Sequence, residues 1–102
     1  MGIEVRLKRE SGEVLGEVGD PKMVLSRAAQ TASFSQTRLL KYLAPWGDAM
    51  FNQTQADDLE ADIADVKRSN PDPNVLEILI RLELLVARLS KETHAYLWFI
   101  GD

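Results

Sequence analysis

Apolar and polar residues alternate along residues 1–19 of the chain. The apolar positions are Ile3, Val5, Leu7, Val14 and Val18. A repeat of two is typical of strands that bury one face and expose the other. The polar cluster at residues 10–13 interrupts the pattern and includes Gly12, which readily adopts the positive φ of a tight turn. The pattern therefore predicts an N-terminal β-hairpin.

The next part of the chain gives weaker signals. Residues 20–29 can form a short helix, with Asp20 as N-cap and Pro21 at its first position. The inward residues of this helix would be Met23, Val24 and Ala28. The apolar run at residues 38–43 fits either a strand or one helical turn. We favour a strand, because residues 44–48, Ala-Pro-Trp-Gly-Asp, form a strong turn signal directly after it.

Two longer stretches repeat apolar residues at helical spacing. The first is residues 54–68, for which Thr54 and Asp57 would be the capping pair. Its apolar stripe consists of Leu59, Ile63 and Val66. The prolines of residues 70–73 then end this helix and start a second one, at residues 74–91. The second helix has such a wide apolar arc that most of it must be buried or shared with a partner.

Residues 94–100 are rich in aromatic side chains and predict a final strand. Tyr96, Trp98 and Ile100 would face one way together with His94, and Leu97 and the remaining apolar residues the other way. A strand that is apolar on both faces is usually interior to a sheet or covered on both sides. The chain is therefore predicted to be a single α+β domain over residues 1–102. Its mostly antiparallel sheet would combine the hairpin with two further strands, and the two main helices would lie on one face.

Composition narrows the possible chemistry. The 102 residues include no cysteine, which excludes disulfides, thiolate metal sites and a cysteine nucleophile, and only one histidine, His94. No dinucleotide-binding or phosphate-binding glycine loop is present. We expect no cofactor, no metal site and no catalytic group, and we interpret His94 as structural.

Charge is distributed unevenly along the chain, whose net charge is −4. Residues 51–72 contain six acidic and two basic side chains, whereas residues 21–50 contain four basic and one acidic side chain. The basic residues are too scattered for a nucleic-acid footprint, so a basic protein is the better partner. The N-terminus lacks the apolar run of a secretory signal, and no stretch is apolar enough for a membrane span. These features predict a cytoplasmic protein.

The most specific local feature is the turn Pro45-Trp46-Gly47-Asp48, because a tryptophan in a turn can serve as an interface anchor. The candidate interaction surface combines this turn with the following strand residue and the acidic helix. Its residues are Trp46, Asp48, Phe51, Asp57, Asp58 and Asp62. Residues 39–52, together with the ending Tyr-Leu-Trp-Phe-Ile-Gly-Asp, resemble small bacterial proteins of unknown function. These proteins carry a Pro-aromatic-Gly-Asp turn followed by Phe-Asn, and end in an aromatic strand and Gly-Asp. The resemblance implies a bacterial single-domain protein and no particular chemistry.

These observations favour a non-enzymatic interaction domain of the inhibitor, immunity or accessory type, acting on another protein. Two alternatives stay open. The first is a small metal-dependent or acid/base enzyme that uses Asp48, His94 and the pair Asp57 and Asp58. The second is a self-associating structural domain, a homodimer in which the wide apolar arc of residues 75–89 or an open sheet edge pairs with its copy.

Overall fold

The regular elements lie in residues 2–69 and 72–101, which are the residues described by the structure, a computed structural model. The strands are β1 (Glu4–Arg9), β2 (Val14–Val18), β3 (Asp48–Asn52) and β4 (Ala95–Ile100). The α-helices are α1 (Val24–Ala28), α2 (Ala32–Ser35), α3 (Ala56–Ser69) and α4 (Pro73–Leu89). Short 3-10 turns occupy Pro21–Met23, Leu40–Tyr42 and Gln53–Gln55. The predicted turn at residues 70–73 falls partly outside the described residues, because Asn70 and Pro71 are not among them.

The four strands form one sheet in the order β2-β1-β4-β3, and all neighbouring strands are antiparallel. β1 and β4 are central and pair over their full lengths, from Glu4 opposite Ile100 to Arg9 opposite Ala95. This arrangement confirms the predicted α+β fold, the N-terminal hairpin and the central position of the aromatic strand. No helix within the described ranges is long and apolar enough to cross a membrane.

One face of the sheet packs against the helices and forms the core. Val5, Leu7, Leu97 and Phe99 are buried on this face. Phe51 joins them from β3, and its ring meets that of Phe99 edge to face, with ring centroids 5.8 Å apart. Each such side chain contributes about 1.5–3 kcal/mol when it is fully buried. The core is therefore the main source of stability.

The two long helices begin where the sequence provides N-terminal caps. α4 starts with Pro73 in its first turn, and the carboxylate of Asp72 accepts a hydrogen bond from Asn74 N. The predicted helices at 54–68 and 74–91 are confirmed within a few residues. The predicted capping pair Thr54 and Asp57 is wrong, because the capping box is formed by Asn52 and Gln55 ahead of α3.

The segment 38–43 is not a strand. Residues Leu40–Tyr42 form a 3-10 turn, and the fourth strand of the sheet is Asp48–Asn52. In β3 the side chains alternate, so that Phe51 points into the core while Asp48 and Met50 remain exposed. The alternating sequence pattern of β3 covers only five residues and directly follows the turn at residues 44–47.

The segment between β2 and α1 also differs from the prediction. Lys22 and Met23 have positive φ values, 68° and 56°, so the helix begins only at Val24 and Met23 is exposed rather than inward. Asp20 is the N-cap residue of the 3-10 turn Pro21–Met23 and not of α1, whose N-cap residue is Met23. The carboxylate of Asp20 accepts hydrogen bonds from Leu25 N and Ser26 N across this break. Val14 is exposed as well, because the β1–β2 register shifts between Leu7 and Lys8.

The end of β4 is fixed against the turn that precedes β3. Gly101 N donates a hydrogen bond to Gly47 O at 3.0 Å. A Cβ atom at Gly101 would lie 2.6 Å from Gly47 O and would also meet the Ala44 carbonyl oxygen. Only glycine fits this contact without moving backbone atoms.

We therefore expect Gly101→Ala to destabilise the fold by about 1–3 kcal/mol, since the new methyl group meets rigid backbone. The matched control is Gly16→Ala, whose Cβ would meet only the terminal Cδ2 of Leu85, at 2.7 Å. The Leu85 side chain can rotate away, so the control should lose less stability than Gly101→Ala. Urea denaturation of both variants measures the difference, and an equal loss would contradict this interpretation of the Gly101 contact.

Candidate functional site

The helices cover one face of the sheet and leave the other face open to solvent. On the central strand β4, Tyr96, Trp98 and Ile100 point to this open face and are half-buried. The neighbouring strands add the following residues: Glu4, Arg6 and Lys8 from β1, Val14 and Glu17 from β2, and Asp48, Met50 and Asn52 from β3. We call this set the open sheet face. The prediction that β4 is interior to the sheet is confirmed, since it pairs with β1 on one side and β3 on the other. Within residues 2–69 and 72–101, no layer covers its second apolar face.

The strand register places the aromatic residues at the centre of the open sheet face. Trp98 lies between Arg6 and Met50, and Tyr96 lies between Lys8 and Asn52. Lys8 Nζ is 5.3 Å from the ring centroid of Trp98, which is the distance of a cation–π contact. A shallow depression of about 320 Å³ lies between Met50, Tyr96, Trp98 and the loop that follows β1. The depression is large enough for a side chain of a partner.

Acidic side chains balance the cations of the open sheet face. Arg6 forms ion pairs with Glu4 at 2.8 Å and with Glu17 at 3.5 Å. Asp48 lies on β3 opposite Ile100, which in turn lies opposite Glu4 on β1. The Ile100 end of the face is therefore acidic, and the guanidinium of Arg6 already has carboxylate partners.

The six residues of the predicted interaction surface do not form one surface. Trp46 is 73% exposed in the turn, and Asp48 is exposed on the open sheet face. Asp57 and Asp58 are exposed in the first turn of α3, which follows the opposite end of β3, about 14 Å of strand away. The residues that the prediction places wrongly are Phe51 and Asp62. Both are buried, Phe51 because β3 alternates inward at this position and Asp62 because its carboxylate binds backbone.

Asp62 anchors the irregular segment before β3 to α3. Its Oδ1 accepts hydrogen bonds from Arg38 N at 3.0 Å and Arg38 Nη1 at 3.2 Å. Its Oδ2 accepts from Leu39 N at 2.8 Å and Leu40 N at 3.2 Å. These donors satisfy a charge that would otherwise be costly to bury. The hydrogen bonds from Arg38 to Asp62 and then to Asp65 raise the pKa of Arg38, so the guanidinium stays charged.

Asp48 and His94, two groups of the enzymatic alternative, lie at opposite ends of β4. Asp48 pairs with Ile100, whereas His94 lies six residues before Ile100, about 20 Å away along the strand. The imidazole Nδ1 of His94 lies 3.3 Å from the carboxylate of Glu10, and His94 O accepts from Glu10 N in the adjoining loop. In residues 2–69 and 72–101 no group of three or more histidine, cysteine, aspartate or glutamate side chains could hold a metal ion.

Apart from Asp48, the residues of the open sheet face were not among the predicted interaction residues, for a definable reason. The alternation of Tyr96, Trp98 and Ile100 is visible in the sequence, and so is their common direction. A strand with two apolar faces does not reveal which of them the helices cover. The signal that could have indicated an open face is on β1, where Glu4, Arg6 and Lys8 occupy the same side as these aromatic residues.

Comparison with known proteins places the chain in no family: no protein-family model, no curated protein and no solved structure matches it. The resemblance to small bacterial proteins with a Pro-aromatic-Gly-Asp turn therefore stays a prediction. Its two segments are in contact, because Gly101 packs on the turn at residues 44–47 and β4 pairs with β3. Asp102 lies outside the described residues.

We expect Asp62→Asn to destabilise the protein by about 2–4 kcal/mol, because an amide nitrogen would replace one acceptor among backbone N–H donors. The matched control is Asp65→Asn, one helical turn away, where a half-exposed carboxylate also pairs with Arg38, at 3.3 Å. The free energy of unfolding of this control variant should fall by no more than about 0.5 kcal/mol. Thermal and urea denaturation measure both values. Equal stability of the two variants would show that the backbone contacts of Asp62 do not anchor residues 38–40.

Proposed function

We propose that this chain is a non-enzymatic interaction domain that binds another protein through the open sheet face. The observation that carries the proposal is the half-exposed cluster of Met50, Tyr96 and Trp98, at the centre of a sheet face that no layer covers in the described part of the chain. An apolar centre with a polar rim is the usual anatomy of a protein interface.

The residue types of the open sheet face favour a protein as the ligand. Tyrosine, tryptophan, methionine and arginine are enriched at the centres of protein interfaces, whereas lysine and the acidic residues are depleted there. Trp98, Tyr96, Met50 and Arg6 occupy adjacent positions across three strands. Large aromatic side chains supply most of the binding energy in such clusters.

The charges indicate the kind of partner. Asp48 and Glu4 flank Ile100 at one end of the open sheet face, and the chain carries a net charge of −4. We expect a partner that places an apolar side chain in the depression beside Trp98 and directs a lysine or arginine towards Asp48. Electrostatic attraction would speed such binding and weaken with salt. A small acidic domain of this kind suits an inhibitor, immunity or accessory protein of a basic target.

Single-stranded nucleic acid is the competing ligand for an aromatic sheet face, since bases stack on exposed rings. Binding of this kind also needs cations that are free to contact phosphates. The open sheet face carries Arg6 and Lys8 against Glu4, Glu17 and Asp48, and Arg6 is already paired with two of these acids. This charge balance favours a protein.

The proposal can be tested by placing a photo-crosslinking amino acid at Met50, and separately at Met23, in the cells that produce the protein. Met50 and Met23 are exposed to similar extents, 48% and 43%, but Met23 precedes α1, which packs in the helix layer. A protein crosslinked from Met50 and not from Met23 would then be purified and its affinity measured by calorimetry. Equal crosslinking from both positions would contradict the proposal.

For the purified pair, we expect Trp98→Ala to weaken binding by about 2 kcal/mol or more, roughly thirtyfold, because it removes the central anchor. Met50→Ala should weaken binding less, and Met23→Ala should leave it unchanged. Thermal denaturation of each variant separates lost binding from lost folding. A parallel titration with fluorescent single-stranded oligonucleotides at low salt provides the alternative outcome, since tight binding there would overturn the protein-binding proposal.

A further inference from the structure

The outer side of α4 presents a second apolar surface, on the opposite side of the molecule from the open sheet face. α4 packs between α1 and α3, and its inner side fills the core. On the outer side, Ile80 is 52% and Leu84 is 71% exposed. These two residues are four positions apart and therefore lie on one side of the helix. Large aliphatic side chains at consecutive turns are unusual on a helix that has no partner.

The positions around Ile80 and Leu84 follow the spacing of a helix–helix seam. Glu77, Ile80, Leu84 and Ala87 are separated by three, four and three residues, which is the alternation of a two-helix contact. All four are exposed. Arg88 follows directly and is also exposed, and its guanidinium lies 3.4 Å from Leu15 O and 4.0 Å from the carboxylate of Glu92. Glu77 forms an exposed ion pair with Arg81 of the same helix at 2.9 Å, so contacts with a second copy would add to these pairs or replace them.

We propose that a second copy of this chain docks on α4, with the two α4 helices antiparallel. In an antiparallel pair centred between Ile80 and Leu84, Ile80 of one copy meets Leu84 of the other, and Leu84 meets Ile80. The same symmetry brings Glu77 opposite Ala87 and next to Arg88 of the second copy. A surface that is complementary to itself in this way is what a two-fold symmetric contact requires.

Charge decides between this arrangement and its alternatives. A parallel pair would bring Glu77 against Glu77 and Arg88 against Arg88, which is repulsive, whereas the antiparallel pair brings opposite charges together. The antiparallel pair also opposes the two helix dipoles favourably. Because the seam has only two large apolar residues in each copy, its area is small and the association should be weak and dependent on concentration.

The inference is independent of the proposed function, because α4 and the open sheet face belong to opposite layers. A dimer formed through α4 leaves both open sheet faces accessible. The complex would therefore have two equivalent binding faces, and a partner with two copies of its own site would gain from binding both.

Sedimentation equilibrium over a range of protein concentrations tests the proposal. We expect the wild-type chain to shift from monomer towards dimer as its concentration rises. Leu84→Glu should lower the association constant at least about tenfold, because it places two carboxylates in the seam. Met23→Glu, at an exposed apolar position outside the seam, is the matched control and should associate like the wild type. Monomer at every concentration would overturn the proposal, and so would loss of association in Met50→Glu but not in Leu84→Glu.

A charge exchange tests the antiparallel geometry separately. Glu77→Arg and Arg88→Glu should each weaken the dimer, by about threefold to tenfold, since each creates like-charge contacts at both ends of the seam. The double variant Glu77→Arg with Arg88→Glu should associate within about twofold of the wild type, because the opposite-charge contacts are restored with reversed polarity. Circular dichroism melts check that each variant is folded. A double variant weaker than both single variants would overturn the antiparallel pairing.

Discussion

The buried carboxylate of Asp62 determines the path of the longest irregular part of the chain. By accepting the backbone N–H groups of residues 38–40, it holds this segment on α3 and places Leu40 in the core. The chain then enters the turn at residues 44–47 and continues into β3. β3 carries both the buried Phe51 and the exposed Met50. By holding the segment that leads into β3, the carboxylate of Asp62 therefore supports both the core and the open sheet face.

The accuracy of the sequence analysis depends on how local each interaction is. The hairpin, α3, α4 and β4 were predictable because their apolar residues repeat with a clear period of two or 3.6. Residues 38–43 were not, since the same apolar run fits a strand or a turn and its form is decided by Asp62, more than twenty residues away. Lys22 and Met23 are a similar case, in which the carboxylate of Asp20 reaches past them to Leu25 and Ser26.

The functional surface was predictable only in part, for a related reason. Trp46 and Asp48 were chosen for their turn chemistry and are exposed, whereas Phe51 was chosen as an aromatic neighbour and is buried by strand alternation. The two apolar faces of β4 predict a strand that is interior to a sheet or covered on both sides, and they do not single out Tyr96 and Trp98 as a binding surface. Whether a sheet is covered on one face or both is settled by how many helices pack against it, and no single strand encodes that number.

The position of β4 at the centre of the sheet has a consequence for folding. β1 and β4 form the longest ladder, yet their paired residues are about 90 positions apart in sequence. Pairing them closes a long loop, which costs more conformational entropy than closing a short one. The hairpin and the two long helices can form from nearby residues, but until β4 inserts, β1 and β3 each present an unpaired edge. Such edges can recruit other chains. The protein is therefore expected to be most prone to aggregation while β4 is still outside the sheet, and to fold slowly for its size.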